Sequence, residues 1–255
     1  MRINVFFTPA EILQSPEQTT NDVYIVIDVI RATTTINVML DRGATKIFAA
    51  QDPEQARTAK ELFPDRLLCG ERNALPMPGF DYGNSPSQFF KMNLSGREMI
   101  LSTSNGTRAL HACPEGATRL AGSFYNAHAV TSLAYQLASE RGSNIAIVCS
   151  GKSGYFALDD TACAGHLLFE LLHQDRELEL AESAMAAIML YKQNPPAETV
   201  EQWEASSEVI EVGLAEDLKY CISMSVSNIV PIVTSEETQT GLLILEAYQN
   251  DHAVR

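Results

Sequence analysis

Residues 25–36 read IVIDVIRATTTI and place a polar turn directly after a very hydrophobic segment. A run of isoleucine and valine is typical of a strand that is buried on both faces of a parallel sheet. Asp28, Arg31 and three threonines follow where that run ends. Parallel α/β sheets bind ligands beyond the carboxyl ends of their strands. The stretch therefore predicts an α/β fold with a polar site at the end of this strand.

Segments with strand-like and helix-like patterns alternate around this stretch. Together with 22–30, apolar and β-branched runs predict strands at 45–50, 66–71, 98–104, 118–123, 144–150 and 227–233. Helical patterns lie between them and dominate after Ser150, at 33–43, 52–63, 126–142, 157–173, 179–193, 197–207 and 212–223. We predict an α/β protein, layered α/β/α with parallel or mixed sheets. We expect two closely packed halves, 1–150 and a helix-rich 151–255, which could be related in structure. A single domain is the alternative, because no linker in the sequence marks the boundary.

Charge and cysteine content limit the classes of partner. The formal net charge is −14, from 32 acidic and 18 basic residues, so the field of the molecule repels polyanions and argues against nucleic acid or an anionic membrane as partners. Five cysteines without a Cys-x-x-Cys pair indicate reduced thiols and a cytoplasmic location. We also find no signal peptide pattern and no apolar run near the ~20 residues of a membrane span.

Four predicted strand ends carry similar polar groups. The groups are Asp28, Arg31, Thr33 and Thr34; Glu71 and Arg72; Asn105, Gly106, Thr107 and Arg108; and Ser150 to Gly154. Guanidinium groups, hydroxyls and backbone amides at helix N-termini bind tetrahedral oxyanions, because donors and the positive end of the helix dipole meet there. Three arginines suggest a ligand with more than one negative charge, such as a phosphate with a second acid.

Carboxylates stand beside these basic and hydroxyl groups. They are Asp28, Glu71, Asp81, Asp159 and Asp160. Hard oxygen ligands suit Mg²⁺, which takes one or two carboxylates, waters and phosphate oxygens. The combination predicts a magnesium site that acts on a phosphate ester. Each group alone also has an ordinary structural interpretation, as a helix cap or a surface ion pair, but capping does not explain all four strand ends together.

Common phosphate-processing signatures do not fit the spacing. A Walker A loop would need glycine where Ala146 stands, and a cysteine phosphatase would need arginine at Tyr155. An aspartyl-phosphate enzyme of the haloacid dehalogenase type would need aspartate at Ile30.

Four long motifs nevertheless match a known family. The segments DVIRATTTI, GERNALPMPGFDYGNSP, STSNGTRAL and CSGKSGYFALDDTACAG occur in this order. They closely resemble the 2-phosphosulfolactate phosphatase family, and GLAEDLKYCISMSVSNIVPIV is similar to its C-terminal segment. The resemblance implies an α/β fold of two related layered halves. It also implies Mg²⁺-dependent hydrolysis of 2-phospho-3-sulfolactate to 3-sulfolactate and phosphate, a step toward coenzyme M in organisms that make it.

The strand ends and the resemblance together define the predicted site. Catalytic residues are Asp28, Arg31, Glu71, Arg108 and Asp160. Substrate-binding residues are Thr33, Thr34, Arg72, Asn84, Ser85, Asn105, Gly106, Thr107, Ser150, Gly151 and Gly154. Metal ligands come from Asp28, Glu71, Asp81, Asp159 and Asp160. Which carboxylate is ligand and which is base stays open, as does the choice between attack by water and attack by Asp28. A non-catalytic sensor or carrier of a phosphorylated metabolite is the alternative function.

Two regions are less regular in sequence. Residues 70–90 contain three prolines and three glycines and predict a long, functional loop. Residues 235–255 include the apolar segment TGLLILEAYQ and are interpreted as a partner-facing helix or a loose tail, which makes a homo-oligomer plausible.

Overall fold

A computed structural model describes residues 1–14 and 19–249. In this part of the chain eleven strands form one mixed sheet. They are β1 Arg2–Phe6, β2 Val23–Ile27, β3 Lys46–Ala49, β4 Leu67–Arg72, β5 Leu75–Pro76, β6 Glu98–Ser102, β7 Thr118–Gly122, β8 Ile145–Cys149, β9 Glu179–Leu180, β10 Pro231–Glu236 and β11 Leu243–Ala247. Their order across the sheet is β5-β4-β6-β3-β11-β10-β7-β2-β8-β1-β9.

Helices cover both faces of this sheet. They are α1 Pro9–Gln14, α2 Ala32–Asp41, α3 Pro53–Leu62, α4 Pro86–Phe90, α5 Gly106–Ala112, α6 Ala127–Arg141, α7 Leu158–Gln174, α8 Glu182–Gln193, α9 Pro196–Thr199, α10 Glu204–Glu211 and α11 Glu216–Cys221. Every residue of β2 is buried. Ile25 and Ile27 belong to one hydrophobic cluster, whereas Tyr24 and Val26 belong to another. Since alternate residues of a strand point to opposite faces, the sheet has a core on each side, which confirms the layered α/β/α prediction.

The sheet consists of two parallel groups joined by a hairpin. Strands β4, β6 and β3 pair in parallel, as do β7, β2, β8, β1 and β9. Between the groups, β10 and β11 pair with each other and with β7 and β3, each time antiparallel. Strands from both 1–150 and 151–255 thus share one sheet, which fits closely packed halves. The boundary near residue 150 itself stays a prediction.

Six of the seven predicted strands lie where the sequence places them, the strand predicted at 227–233 begins only at Pro231, and most helices lie where predicted. Asp52 caps α3, because its side chain accepts hydrogen bonds from the backbone N–H groups of Glu54 and Gln55. The helix predicted at 197–207 is interrupted: α9 ends at Thr199, a 3₁₀ turn spans Val200–Gln202, and α10 begins at Glu204. The predicted loop at 70–90 contains β5 and α4.

The C-terminal prediction was wrong for its described part. Residues Leu243–Ala247 are strand β11, which lies in the middle of the sheet between β3 and β10, so they form neither a helix nor a loose tail. The apolar residues Leu243 and Leu245 pack into the core rather than toward a partner. Residues 250–255 of that prediction lie outside the described residues. Along the described ranges, no helix combines the length and the hydropathy needed to cross a membrane.

Candidate active site

A polar cavity forms where the turns after β2, β4, β6 and β8 meet. Four of the predicted carboxylates line it, with two basic side chains, three asparagines and part of α10. The lining residues are Asp28, Ile30, Arg31, Glu71, Asn73, Ala74, Asn84, Ser104, Asn105, Ser150, Gly151, Lys152, Ser153, Ala157, Asp159, Asp160, Ala205, Glu208 and Val209. The structure therefore brings together residues from four separate motifs of the sequence.

The turn after β2 holds Asp28 at the edge of the cavity. The backbone N–H of Ala32, at the start of α2, donates to Asp28 Oδ1 at 3.1 Å. Thr33 Oγ1 donates to the carbonyl oxygen of Asp28 at 2.9 Å, and Thr34 Oγ1 donates to that of Val29 at the same distance. Both threonines are fully buried and are absent from the cavity lining. Their hydroxyls close the turn, so the structure does not place them for direct substrate binding.

The turn after β6 approaches Asp28 from the opposite side. A Cβ atom added at Gly106 would lie 2.6 Å from Ala32 Cβ and 2.7 Å from Asp28 Oδ2. The backbone N–H of Gly106 also bonds to the Asp28 carboxylate. Nearby, Thr107 exchanges hydrogen bonds with Thr103 across the helix start, at 3.1 and 3.2 Å. Gly106 and Thr107 thus shape the turn and lie outside the cavity lining.

Glu71 and Asp160 are both held by several donors. The Glu71 carboxylate accepts from the backbone N–H and hydroxyl of Ser104, at 2.8 and 3.3 Å, and from the N–H of Ala74 at 3.1 Å. The Asp160 carboxylate accepts from the N–H of Val29 at 2.9 Å, from Ser150 Oγ at 2.9 Å and from the N–H of Gly151 at 3.0 Å. These bonds tie the ends of β4 to β6 and of β2 to β8.

Three of the carboxyl groups in the cavity have raised pKa values. Burial raises the pKa of Asp28 to about 6, and the neighbouring Glu71 carboxylate adds to that shift. Burial also raises the pKa of Asp159 to about 7, with a further contribution from Asp28. The pKa of Asp160 lies well above its usual range because of burial and then of Asp159 and Asp28. Three acids that oppose each other's ionisation form a centre with a strong affinity for positive charge.

Two basic side chains line the cavity, and both are in ion pairs. Arg31 is 3% exposed and its Nη1 lies 2.7 Å from Asp217 Oδ2. Lys152 Nζ lies 2.8 Å from the carboxylates of Glu204 and of Glu208 on α10. The sequence argument did not select Lys152, although it stands at a strand end inside the SGKSG motif. Asp217, on α11, also lies outside the predicted site residues, although it belongs to the C-terminal segment GLAEDLKYCISMSVSNIVPIV that resembles the family.

Asp81 does not join the other carboxylates. The chain at 80–82 runs parallel beside β4, with the N–H of Gly70 donating to the carbonyl of Tyr82 and the N–H of Asp81 donating to that of Leu68. Asp81 Oδ2 accepts from the N–H of Leu68 and from Lys60 Nζ, at 2.8 and 3.0 Å. Asp81, predicted as a metal ligand, is therefore not brought to the cavity, because these contacts hold it beside Leu68, before the carboxyl end of β4.

Several predicted substrate contacts also lie outside the cavity lining. Arg108 is exposed, and Arg72 donates to the carbonyl oxygen of Glu71 at 2.7 Å. Burial lowers the pKa of Arg72, and the nearby charge of Arg108 acts in the same direction. Ser85 caps α4 and donates to Asp217, while Gly154 lies further along the loop after β8. Asn84, Asn105, Ser150 and Gly151 do line the cavity.

Asn84 has an unusual position between two cavities. The polar cavity measures about 110 Å³, and a more apolar one of about 560 Å³ adjoins it through Ala74 and Asn84. Asn84 is 3% exposed, and its Oδ1 is buried without a hydrogen-bond partner among the described residues. A buried amide oxygen is normally paired, so a ligand or water is expected to donate to it here.

Comparison with known proteins gives the family. The model of the 2-phosphosulpholactate phosphatase family matches residues 7–236. A protein from Thermus thermophilus named probable 2-phosphosulfolactate phosphatase is 38% identical over 235 residues, which cover 91% of this chain and 94% of that protein. This chain belongs to the 2-phosphosulfolactate phosphatase family. Proteins with the same name from Carboxydothermus hydrogenoformans and Deinococcus radiodurans are 33% and 35% identical, over 97% and 89% of this chain and 98% and 95% of their own lengths.

The donor set of this family member suits a hard cation. Among the described residues no group of three or more histidine, cysteine, aspartate or glutamate side chains is arranged as a complete metal cage. Mg²⁺ needs only one or two protein carboxylates, because water and phosphate oxygens complete its coordination. Asp28 and Asp159 are both about 95% buried and face the same cavity, so their oxygens could serve as such a pair.

Proposed function

We propose that this chain is a Mg²⁺-dependent phosphatase that hydrolyses 2-phospho-3-sulfolactate, or a related phosphorylated sulfonate or hydroxy acid, to the alcohol and inorganic phosphate. Family membership and the names of the relatives support the reaction and the substrate. The observation that carries the proposal is the convergence of Asp28, Glu71, Asp159 and Asp160 with Arg31 in one cavity.

The charge of the cavity supports the need for a cation. Five acidic and two basic side chains line it, so its walls are formally anionic when all groups are ionised. A phosphate dianion would be repelled by such a surface unless positive charge accompanied it. This argument also disfavours a metal-free sensor, because binding an anion alone would not require the carboxylates.

Asp28 and Asp159 are the proposed metal ligands. Glu71 and Asp160 each accept three hydrogen bonds from neighbouring donors, which supports a positioning role for both. Asp28 accepts from the N–H groups of Ala32 and Gly106, and Asp159 only from the first N–H groups of its own helix. Bound Mg²⁺ would neutralise charge on the phosphoryl oxygens and lower the pKa of a water molecule.

The remaining steps use groups of the chain itself. Arg31 would donate to a phosphoryl or sulfonate oxygen, because Asp217 and Ala74 together occupy only part of its five N–H donors. The N–H groups of the loop after β8 and the amide of Asn84 would orient the remainder of the substrate. In-line attack by water is the preferred route, since positioning and charge neutralisation supply most of the catalysis in phosphoryl transfer. Attack by Asp28 to give a phosphoenzyme is the alternative.

Phosphate release with and without the cation tests the proposal. Purified protein is incubated with 2-phospho-3-sulfolactate in Mg²⁺ and in EDTA, together with a panel of phosphorylated hydroxy acids. Turnover in Mg²⁺ and none in EDTA is expected. Asp159→Asn should abolish turnover, whereas the matched variant Asp81→Asn should retain it, because Asp81 lies outside the cavity lining. Ligand binding without turnover in either condition would instead establish a sensor or carrier.

Isotope labelling separates the two chemical routes. In a single turnover in ¹⁸O-water, direct attack places the label in the released phosphate. Attack by Asp28 followed by hydrolysis at phosphorus also labels the phosphate but leaves a trappable aspartyl phosphate, and hydrolysis at the acyl carbon labels the protein. A quenched reaction without phosphoprotein supports water attack, and label or phosphate on Asp28 would overturn it.

A further inference from the structure

A buried ion pair connects the cavity to a distant part of the chain. Arg31 Nη1 donates to Asp217 Oδ2 at 2.7 Å, across 186 positions of sequence. The side chains are 2% and 0% exposed. Arg31 Nη2 donates to the carbonyl oxygen of Ala74 at 2.8 Å. The guanidinium is thus fixed at two of its nitrogens while it lines the cavity.

Asp217 holds more than Arg31. Its Oδ1 accepts from Ser85 Oγ at 2.7 Å and from the N–H of Ser87 at 3.1 Å. Ser85 and Ser87 open α4 and line the larger cavity next to the polar one. One carboxylate therefore joins the starts of α2, α4 and α11, and both of its oxygens are used.

This arrangement determines where the positive charge of Arg31 stands. A buried guanidinium is expensive to desolvate unless a carboxylate compensates it and its donors are satisfied. Asp217, which does not line the polar cavity, provides the charge partner, and the planar fork of arginine converts that contact into a fixed orientation. Without it, the guanidinium would be free to turn toward the carboxylates of the cavity.

We propose that Asp217 is a positioning residue for the phosphatase reaction, which fixes Arg31 for contact with a transferring phosphoryl group. The inference rests on the proposed function, and Asp217 itself touches neither substrate nor metal. Since the charge of Arg31 remains in the cavity when Asp217 is neutralised, binding of the anionic substrate should persist. What should be lost is alignment in the transition state, which affects kcat rather than KM.

Asp217→Asn and Glu216→Gln form the test pair. Both replace a carboxylate by its amide on the first turn of α11, but Glu216 pairs with Lys91 on the surface and lies outside both cavities. Asp217→Asn should lower kcat by about 10- to 100-fold with KM within about threefold of the wild type. Glu216→Gln should leave both constants unchanged. A merely structural role would lower the folded fraction, and with it the apparent kcat at constant KM, so kcat is referred to the concentration of folded protein measured by circular dichroism; with that correction a structural role leaves kcat unchanged.

A double substitution tests whether Asp217 acts through Arg31. Arg31→Met should itself reduce kcat strongly, and adding Asp217→Asn should then change kcat by less than about twofold, because the partner is already absent. If Asp217→Asn fails to fold, Ser85→Ala removes one donor from Asp217 and leaves the ion pair. It should lower kcat by a few-fold with KM unchanged.

The outcomes separate the inference from the function on which it rests. A wild-type protein that releases no phosphate refutes the proposed function and the inference with it. An active wild type whose Asp217→Asn or Ser85→Ala variant matches Glu216→Gln in kcat refutes the inference alone. The inference is also refuted if Asp217→Asn lowers kcat by the same factor in the wild-type protein and in the Arg31→Met variant.

Discussion

Substitution of Gly106 by alanine should separate the geometry of Asp28 from the stability of the fold. The new Cβ would stand 2.6 Å from Ala32 Cβ, 2.7 Å from Asp28 Oδ2 and 2.9 Å from Asp28 Cβ. Ordinary contacts between carbon atoms lie near 3.5 Å or more, so Asp28 and the start of α2 must retreat by about 0.8 Å. The Asp28 carboxylate is the group with most freedom to move.

Two effects of different size are expected. Inserting a methyl group into a packed region usually costs about 1–3 kcal/mol, which corresponds to a fall in Tm of roughly 2–12 °C for a chain of this size. Displacement of a catalytic group by such a distance can lower a rate by about 100-fold. Gly106→Ala should therefore remain folded at 25 °C but lose most of its Mg²⁺-dependent turnover.

Gly122→Ala is the matched control. A Cβ at Gly122 would lie 2.5 Å from Ile25 Cγ2 and 3.4 Å from Leu167 Cδ1, within the core and away from the cavity lining. Its Tm should fall by a similar amount, whereas kcat of the folded protein should be retained. Calorimetry and steady-state phosphate release measure both quantities. Equal kcat values for the two variants would show that Asp28 need not be held in place by Gly106.

Three further results are expected. In metal-free protein the pKa values of Asp28 and Asp159 are about 6 and about 7, above the ordinary carboxyl value. Their contribution to the free energy of unfolding is therefore fully present below about pH 4 and is lost as the pH rises through 6 to 7. Asp159→Asn or saturating Mg²⁺ should reduce this loss in denaturant titrations, and an unchanged pH dependence would contradict the coupling. Leu245→Ala should lower the unfolding free energy by about 2–5 kcal/mol, because this residue of β11 is fully buried; a loss below 1 kcal/mol would argue against a central β11. Lys152→Met should raise KM for the anionic substrate several-fold at low salt and less at high salt, and no change in KM would exclude Lys152 from substrate binding.

The sequence located polar groups best where they stand at the end of a strand. Asp28, Glu71 and Asp160 follow or adjoin buried strands, and the structure gathers all three around one cavity. Thr33 and Thr34 lie outside the lining, because a hydroxyl at a helix start can bond to the local backbone instead of a ligand.

Asp81 and Asp217 show two ways in which local sequence patterns mislead: Asp81 was predicted in the site and lies outside it, whereas Asp217 was not predicted and contacts Arg31. Asp81 belongs to a segment that lies beside β4, so its neighbours in space are Leu68 and Lys60. Asp217 was not predicted at all, although it holds Arg31 from 186 positions away. A hydrogen bond between such distant residues leaves no periodic or compositional signal in either segment.

The amino-acid sequence by itself determined the local elements. Hydrophobic periodicity, helix caps and polar strand ends act over a few residues, so the seven predicted strands and the convergence of polar groups were visible without coordinates. Only the tertiary structure decided the order of the strands, the central place of β11 and the partners of Arg31 and Asp81. These features depend on which strands pair and which side chains meet across the sheet. The free energy of such long-range contacts is shared by segments that lie far apart in the chain, so neither segment alone reveals it.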